Sequence, residues 1–212
     1  MDKTRIGVVG LRFGRQLVRT LANMEDAELV AVCSRDMDRA KDLTDQFGGA
    51  PTIDFDAMIA RDDIDVVTIC TASGEHALYG VPAAEAGKHV MVEKPIDISL
   101  ENADRLIEAC DRNGVKLGVI FQLRFLDEPQ EVKRAIDAGE IGKMVMADCY
   151  MKFYRPQSYY DGSRWKGTLA LDGGGALINQ GVHGLDYESE DMMVQRVPVN
   201  TAQEWLQNGK ID

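Results

Sequence analysis

The chain has 212 residues and a formal net charge of −11, with 35 acidic against 24 basic side chains and 45% hydrophobic residues. So acidic a sequence, with no basic run, argues against nucleic acid or an anionic membrane as partner, and its apolar share suits a packed core rather than disorder. No apolar run approaches the roughly 18 residues of a membrane span, and a strand opens within a few residues of Met1, leaving no room for a signal peptide and pointing to the cytoplasm.

Residues 5–10 form a short β-branched run that stops at Gly10, after which Phe13, Leu17, Val18 and Leu21 recur at helical spacing. Between strand and helix stands Gly10-Leu11-Arg12-Phe13-Gly14, a compressed relative of the glycine-rich fingerprint that brings a pyrophosphate to backbone N–H groups at a helix N-terminus. Arg12 replaces the usual middle glycine, so either the phosphate sits farther out or the guanidinium itself contacts it. A second apolar run over residues 28–33 leads into Ser34-Arg35-Asp36. NAD-binding folds place an acid at the end of this strand for the ribose hydroxyls, whereas an arginine accommodates a 2′-phosphate. With Ser34 in the acidic position and Arg35 after it, NADP(H) is the expected cofactor, and NAD(H) remains possible. The plain alternative for Arg35 is a surface pair with Asp36 or Asp38.

The alternation continues with a charged amphipathic helix over 38–47 closed by Gly48-Gly49, a short helix over 54–60 and a strand over 65–70. That strand enters Thr71-Ala72-Ser73-Gly74-Glu75-His76, where small residues let a cofactor lie against the backbone. His76 opens the next helix, over 76–86, either as a first-turn residue facing solvent or in a structural or cofactor-flanking role. A strand over 88–92 then runs into Glu93-Lys94-Pro95. Val90, Met91 and Val92 are apolar without alternation, as in a parallel strand covered on both faces, and Pro95 cannot extend the ladder. Lys94 therefore stands at a carboxyl end, where open α/β sheets bind ligands; the plain alternative is a solvated Glu-Lys pair. A helix over 100–112, with Ser99 as N-cap and Gly114 past its end, and a strand over 116–121 complete a doubly wound parallel α/β sheet.

Past residue 122 the pattern changes, giving an expected dinucleotide-binding domain over 1–122 and a second, smaller α+β domain over 123–212. The second domain opens with a helix over 131–138, a Gly139-Glu140-Ile141-Gly142 turn and a strand over 144–150, then an aromatic and glycine-rich loop. No low-complexity linker separates the two, so they are expected to share an interface. Cys33, Cys70, Cys110 and Cys149 lie far apart within expected strands and helices, and read as small buried hydrophobes in a reducing compartment, with no metal site.

With these residues assembled, the sequence resembles the Gfo/Idh/MocA family of glucose-fructose oxidoreductases and inositol dehydrogenases, over about residues 5–186. The marks are Glu93-Lys94-Pro95, the preceding Ala86-Gly87-Lys88-His89-Val90, the Gly139 to Gly142 turn, and two stretches in the second domain: residues 159–168, and residues 172–183 with Gly173-Gly174-Gly175 and His183. Those two stretches look most like members acting on sugars or nucleotide-linked sugars, including dehydrogenases of UDP-linked N-acetylated hexuronates. The resemblance implies Lys94 beside a nicotinamide, often with a cis bond before Pro95, and His183 as a histidine on a helix of the second domain. Many members carry an aspartate four positions before that histidine; here it is Asn179, which can orient a substrate but takes no proton. Hydride removal from a secondary alcohol needs a base for the hydroxyl proton and a cation for the developing alkoxide. Either His183 is the base and Lys94 the cation, or Lys94 with a depressed pKa does both. The candidate cofactor contacts are Gly10, Arg12, Phe13, Gly14, Ser34, Arg35, Thr71, Ala72, Ser73, His76, Glu93, Lys94 and Gln122. Tyr154, Arg155, Tyr160, Arg164, Trp165 and Gln180 are candidate sugar contacts, since hydroxyl-rich rings are held by polar forks and aromatic faces.

The sequence departs from the family after the histidine helix, where members continue into a large open sheet. Here 187–212 follows, and Tyr187-Glu188-Ser189 with Val197-Pro198-Val199 looks like the family's closing helix and tail, as though an internal block were absent. A shortened second domain would leave apolar faces for another copy to cover, so a homodimer or higher homo-oligomer is expected, with Tyr150, Phe153 and Tyr154 near the contact. Two functions follow: an NAD(P)-dependent oxidoreductase acting on a secondary alcohol of a sugar, nucleotide sugar or cyclitol, or a nucleotide-binding sensor or paralogue that keeps the cofactor site without turnover.

Overall fold

The structure, a computed structural model, describes residues 3–143 and 145–187. They form two compact units that divide between Ile120 and Phe121. The first carries six strands, β1 (Thr4–Val9), β2 (Ala27–Cys33), β3 (Ala50–Thr52), β4 (Val66–Ile69), β5 (His89–Glu93) and β6 (Leu117–Ile120). All pair in parallel in the order β3-β2-β1-β4-β5-β6. The strand order reverses between β1 and β4, which opens the crevice that dinucleotide-binding sheets use. The edge strand β3 is three residues long, too short to display a pattern in the sequence.

Helices α1 (Gly14–Leu21), α2 (Met37–Phe47), α3 (Phe55–Ile59), α4 (His76–Glu85) and α5 (Leu100–Asn113) connect the strands. Their caps follow from the residues at their ends. The Asp36 side chain accepts from the Asp38 and Arg39 N–H groups at the start of α2, Asp54 accepts from Ala57 N–H at α3, and Ser99 from Asn102 N–H at α5. Gly114 closes α5 in the left-handed conformation, at φ 63°.

The buried apolar side chains fall into two clusters. One joins Ile6, Val8, Val32 and Val66 of the sheet to Val18, Leu21, Ala40 and Leu43 of α1 and α2. The other joins Val9, Val67, Ile69, Val90 and Val92 to Ala77, Ala83, Leu106 and Cys110 of α4 and α5. Neighbours such as Val8 and Val9 enter opposite clusters, as the two-residue period of a strand requires when both faces are covered. Each fully buried Leu or Val contributes about 1.5–3 kcal/mol of transfer free energy, which is what holds the crossovers against the sheet.

The second unit carries α6 (Asp127–Asp137), α7 (Gln157–Asp161), a π-helical turn (Leu177–Gly181) and α8 (Val182–Tyr187). Helix α6 begins four residues earlier than the sequence suggested, with Pro129 tolerated in the first turn because its missing N–H has no partner there. The strand expected over 144–150 does not form among the described residues. Val145, Met146 and Tyr150 are 93%, 79% and 85% exposed, and a lone extended segment with no ladder beside it gains nothing from being a strand. Cys149 is exposed with it, whereas Cys33, Cys70 and Cys110 are buried as expected. Residues 188–212, on which the resemblance to a closing tail rests, lie outside the described residues.

Candidate functional site

The turn after β1 packs so closely on the end of β4 that only glycine fits. Gly10 has φ +86°, and a Cβ there would stand 2.7 Å from the Cys70 carbonyl oxygen. Gly14, the first residue of α1, likewise abuts Val8 and Cys70. Phe13 precedes α1 without a side-chain cap, and the first turn of the helix carries no acid. Its N–H groups and the positive end of its dipole therefore face the crevice without a carboxylate beside them. Arg12 and Phe13 of this turn are exposed.

At the end of β2, the Ser34 hydroxyl accepts from Asp36 N–H at 3.1 Å. Arg35 does not pair with Asp36 or Asp38. Asp36 is engaged in capping α2 and in an ion pair with Arg39 at 3.1 Å, and Arg35, with its side chain 88% exposed, lies 3.8 Å from Glu75 in the loop after β4. That loop includes the 3-10 turn Ser73–Glu75. Ala72 and Ser73 are buried, and the buried Thr71 hydroxyl oxygen has no partner.

His76 is 1% exposed, which excludes the solvent-facing alternative. Its Nδ1 lies 2.8 Å from the Pro95 carbonyl oxygen, and its buried Nε2 has no partner. Burial holds the imidazole pKa below the ordinary value, so at neutral pH it is uncharged, and Nδ1–H donates to Pro95 while Nε2 keeps a lone pair. Asp97, which the sequence reading missed, adds a second tie: its carboxylate accepts from Ala77 N–H at 3.1 Å, Ile98 N–H at 2.8 Å, Ser99 N–H at 3.2 Å and the Asn102 amide at 3.3 Å. Its signal was faint: an acid two residues past the motif proline and two before a cap serine.

Between these ties runs Glu93-Lys94-Pro95, with a cis Lys94–Pro95 bond. Glu93 is 8% exposed, and burial pushes its carboxyl up to about 7 against the lowering effect of the neighbouring Lys94 charge and N–H. The motif therefore places a buried acid, whose ionisation burial opposes, and a lysine at the carboxyl edge of β5, as strand polarity required. The solvated Glu-Lys pair is excluded for Glu93. The cradle at Gly10, the uncapped α1 and the unpartnered Thr71 and His76 atoms all lie at this edge and suit a dinucleotide.

The second unit gathers its candidates into one chain of hydrogen bonds. Arg155 donates to the Gln180 side-chain oxygen at 3.0 Å, Gln180 to Asn179 at 2.7 Å, and Asn179 to Asp172 at 2.6 Å. Asp172 is 1% exposed and also accepts from Gly167 N–H at 2.7 Å. The Arg155 guanidinium lies over the rings of Phe153 and Tyr159 at 5.3 and 5.1 Å, and Lys166 over Tyr159 at 3.5 Å. Tyr160 meets Tyr159 edge to face, its centroid 5.1 Å away. Trp165 is half-buried, whereas the Tyr154 and Arg164 side chains are exposed, and the Tyr154 carbonyl accepts from Arg155 at 3.1 Å. His183 is 5% exposed and packs edge to face on Phe121, with ring centroids 6.1 Å apart. Helix α8 is pinned by a bidentate pair between Arg124 and the buried Asp186, and by the Tyr187 hydroxyl donating to Leu123 carbonyl at 3.1 Å. Arg124 and Asp186 are 62 residues apart and gave no local signal. Gln122 falls in this unit too, with its buried side-chain oxygen unpartnered. Among the described residues, no three His, Cys, Asp or Glu side chains are grouped to hold a metal ion, and no helix is long and apolar enough to cross a membrane.

Residues 4–121 match the oxidoreductase family with an NAD-binding Rossmann fold, and residues 130–189 match the GFO/IDH/MocA C-terminal domain. The chain belongs to the Gfo/Idh/MocA family. The WlbA dehydrogenase of Bordetella pertussis, solved with NADH and UDP-GlcNAcA, is 34% identical, with a TM-score of 0.80 over 91% of this chain and 59% of its own. KijD10, a 3-ketoreductase of Actinomadura kijaniata solved with TDP-benzene and NADP, is 32% identical, with a TM-score of 0.61 over 65% of this chain and 44% of its own. Myo-inositol 2-dehydrogenase of Thermotoga maritima is 33% identical over 66% of this chain and 42% of its own length. The chain spans about half the length of the curated relatives it matches. Family and Rossmann architecture are thus as the sequence resemblance implied.

Proposed function

We propose that the protein is an NAD(P)-dependent oxidoreductase that moves a hydride between a nicotinamide cofactor and a secondary alcohol of a sugar, nucleotide sugar or cyclitol. The observation that carries this reading is the Glu93-Lys94-Pro95 turn at the carboxyl end of a parallel strand, with Glu93 and Pro95 buried and Lys94 half-buried, on the same sheet edge as the Gly10 cradle. The bound nicotinamide supplies or accepts the hydride. Lys94 offers the charge that stabilises alkoxide as it develops, and His183 or Lys94 takes the hydroxyl proton. Asn179, held by Asp172 through its amide N–H, orients its oxygen rather than exchanging protons. Arg155, Tyr160, Trp165 and Gln180, with Tyr154 and Arg164, are proposed to hold the sugar. The UDP-GlcNAcA bound to one relative and the nucleotide diphosphate TDP-benzene bound to another support a nucleotide-linked sugar as the favoured substrate class.

NADP(H) is the proposed preference over NAD(H), because no carboxylate stands at Ser34 and Arg35 follows it. The protein is proposed to act in the cytoplasm as a homodimer, without nucleic-acid or membrane partners, on the strength of its acidity and the exposed Tyr150, Phe153 and Tyr154. The test is nicotinamide reduction across a panel of nucleotide sugars, free sugars and cyclitols, with Lys94→Ala as control. Turnover that vanishes in Lys94→Ala while cofactor affinity persists is the expected result. Tight cofactor binding with no turnover on any member of the panel would overturn it.

A further inference from the structure

Residues 94–98, between the end of β5 at Glu93 and the N-cap of α5 at Ser99, belong to no strand or helix. Such a segment keeps one conformation only where specific bonds tie it down. On the strand side Glu93 is still in the ladder, opposite Ile120 of β6. On the far side the ties converge on Asp97, which is 6% exposed, and its two oxygens serve different elements. Oδ2 accepts from Ala77 N–H, in the first turn of α4, at 3.1 Å. Oδ1 accepts from Ile98 N–H, Ser99 N–H and the Asn102 amide at 2.8, 3.2 and 3.3 Å, all at the start of α5. The carboxylate is thus a bracket between two helix N-termini, where negative charge is favoured. Helix α4 lacks a cap from its own chain start, since Glu75 makes no side-chain cap bond. A Ser, Thr or Asp at that position would satisfy Ala77 N–H as well, but an acid from beyond Pro95 does so while fastening the turn to α4. The His76 bond to the Pro95 carbonyl adds a tie on the residue next to Lys94.

We propose that Asp97 is a positioning residue for Lys94. Its carboxylate holds the backbone after Pro95 against α4 and α5, so that the lysine leaves β5 in one fixed direction, and its loss is felt in turnover rather than in binding. The inference rests on the oxidoreductase reading above, in which the Lys94 ammonium meets the developing alkoxide. A displacement of about 1 Å in such a group costs on the order of 100-fold in rate, whereas the Gly10 cradle is held by its own packing on the end of β4.

The experiment compares wild type with Asp97→Asn, Asn102→Ala and Ser99→Ala in the full chain. It measures steady-state kinetics on the nucleotide-sugar panel, NADPH affinity by fluorescence, and the rate at which an amine-acylating reagent labels Lys94, read by peptide mass spectrometry. Asp97→Asn keeps an oxygen for the three donors at α5 and turns its NH2 group toward Ala77 N–H, donor against donor, so it severs the α4 tie alone. Ser99→Ala removes the cap of α5, leaves the bracket in place and is the control for lost stability. In Asp97→Asn, kcat is expected to fall about 10- to 100-fold, with KM and NADPH affinity within about threefold of wild type, and Lys94 is expected to label faster. In Ser99→Ala all four quantities should stay at wild-type values. Asn102→Ala, which removes one donor to the same carboxylate, should act as Asp97→Asn does but more weakly, and it carries the test if Asp97→Asn does not fold. A kcat unchanged in the folded variant, or lowered as much in Ser99→Ala, would reduce Asp97 to a helix cap and overturn the proposal. So would NADPH binding that weakens as much as kcat falls. If the wild type turns over no member of the panel, the oxidoreductase reading fails and labelling decides alone: an unchanged Lys94 rate in Asp97→Asn overturns the positioning role, and a faster one upholds it.

Discussion

Glu93 shows how one residue links strand position to pH. Its carboxyl is pushed up to about 7 from an ordinary 4.5, because the end of a two-face-covered strand leaves it little water. Between those values the folded protein holds a proton that the unfolded chain has released. Stability from this group is therefore fully present below 4.5 and is lost as pH rises through about 7. Glu93→Gln should remove that decline and stabilise the protein at pH 8 by up to about 3 kcal/mol, the scale of a pKa moved from 4.5 to about 7. Urea unfolding at a series of pH values checks this. A slope unchanged by the substitution would mean that Glu93 is ionised throughout.

At the scale of elements, two junctions carry much of the architecture. The β1–α1 turn crosses the end of β4 at Gly10, where a methyl group would meet the Cys70 carbonyl at 2.7 Å and φ is +86°. Gly10→Ala should cost about 2 kcal/mol or more and weaken cofactor binding, from backbone strain plus displacement of β4. Gly87→Ala has a similar φ of +74° but open space around it, so it should cost only about 1 kcal/mol. Thermal unfolding of the pair separates close approach from conformation. In the second unit, Arg124 and Asp186 have side chains only 12% and 4% exposed. Asp186→Ala removes the carboxylate that a buried guanidinium pairs with and should cost about 3–5 kcal/mol. The double change Arg124→Met with Asp186→Leu should recover most of that loss. A single change as mild as a surface substitution would mean that the pair is not holding α8.

At the scale of the whole molecule, the two units differ in how well they cover themselves. The first buries its apolar residues in two clusters against the sheet, while the second leaves Val145, Met146, Tyr150, Tyr154 and Leu169 at 79% exposure or more. Apolar surface of that extent favours association, and two-fold symmetry lets one patch cover its copy. A homodimer is expected in sedimentation velocity, with Tyr150→Glu and Tyr154→Glu shifting it toward monomer. A strict monomer at micromolar concentration would contradict it.

The sequence by itself determined the parallel sheet apart from its short edge strand β3, its helices with the Ser99 cap of α5, and the placement of Gly10, Ser34 and Lys94 on one edge. Each of these follows from local rules: a two-residue or 3.6-residue apolar period, a cap residue, a glycine at a turn, and the polarity of a strand. The strand expected over 144–150 failed because an apolar run becomes a strand only when another lies beside it, and no local pattern reports that neighbour. Tertiary structure alone decided that His76 is buried against Pro95, that Arg35 leans to Glu75, that Arg15 reaches Asp42, and that Arg124 reaches Asp186. All of these contacts join residues distant in the chain, and side-chain charge or size constrains such partners only after the backbone has brought them together.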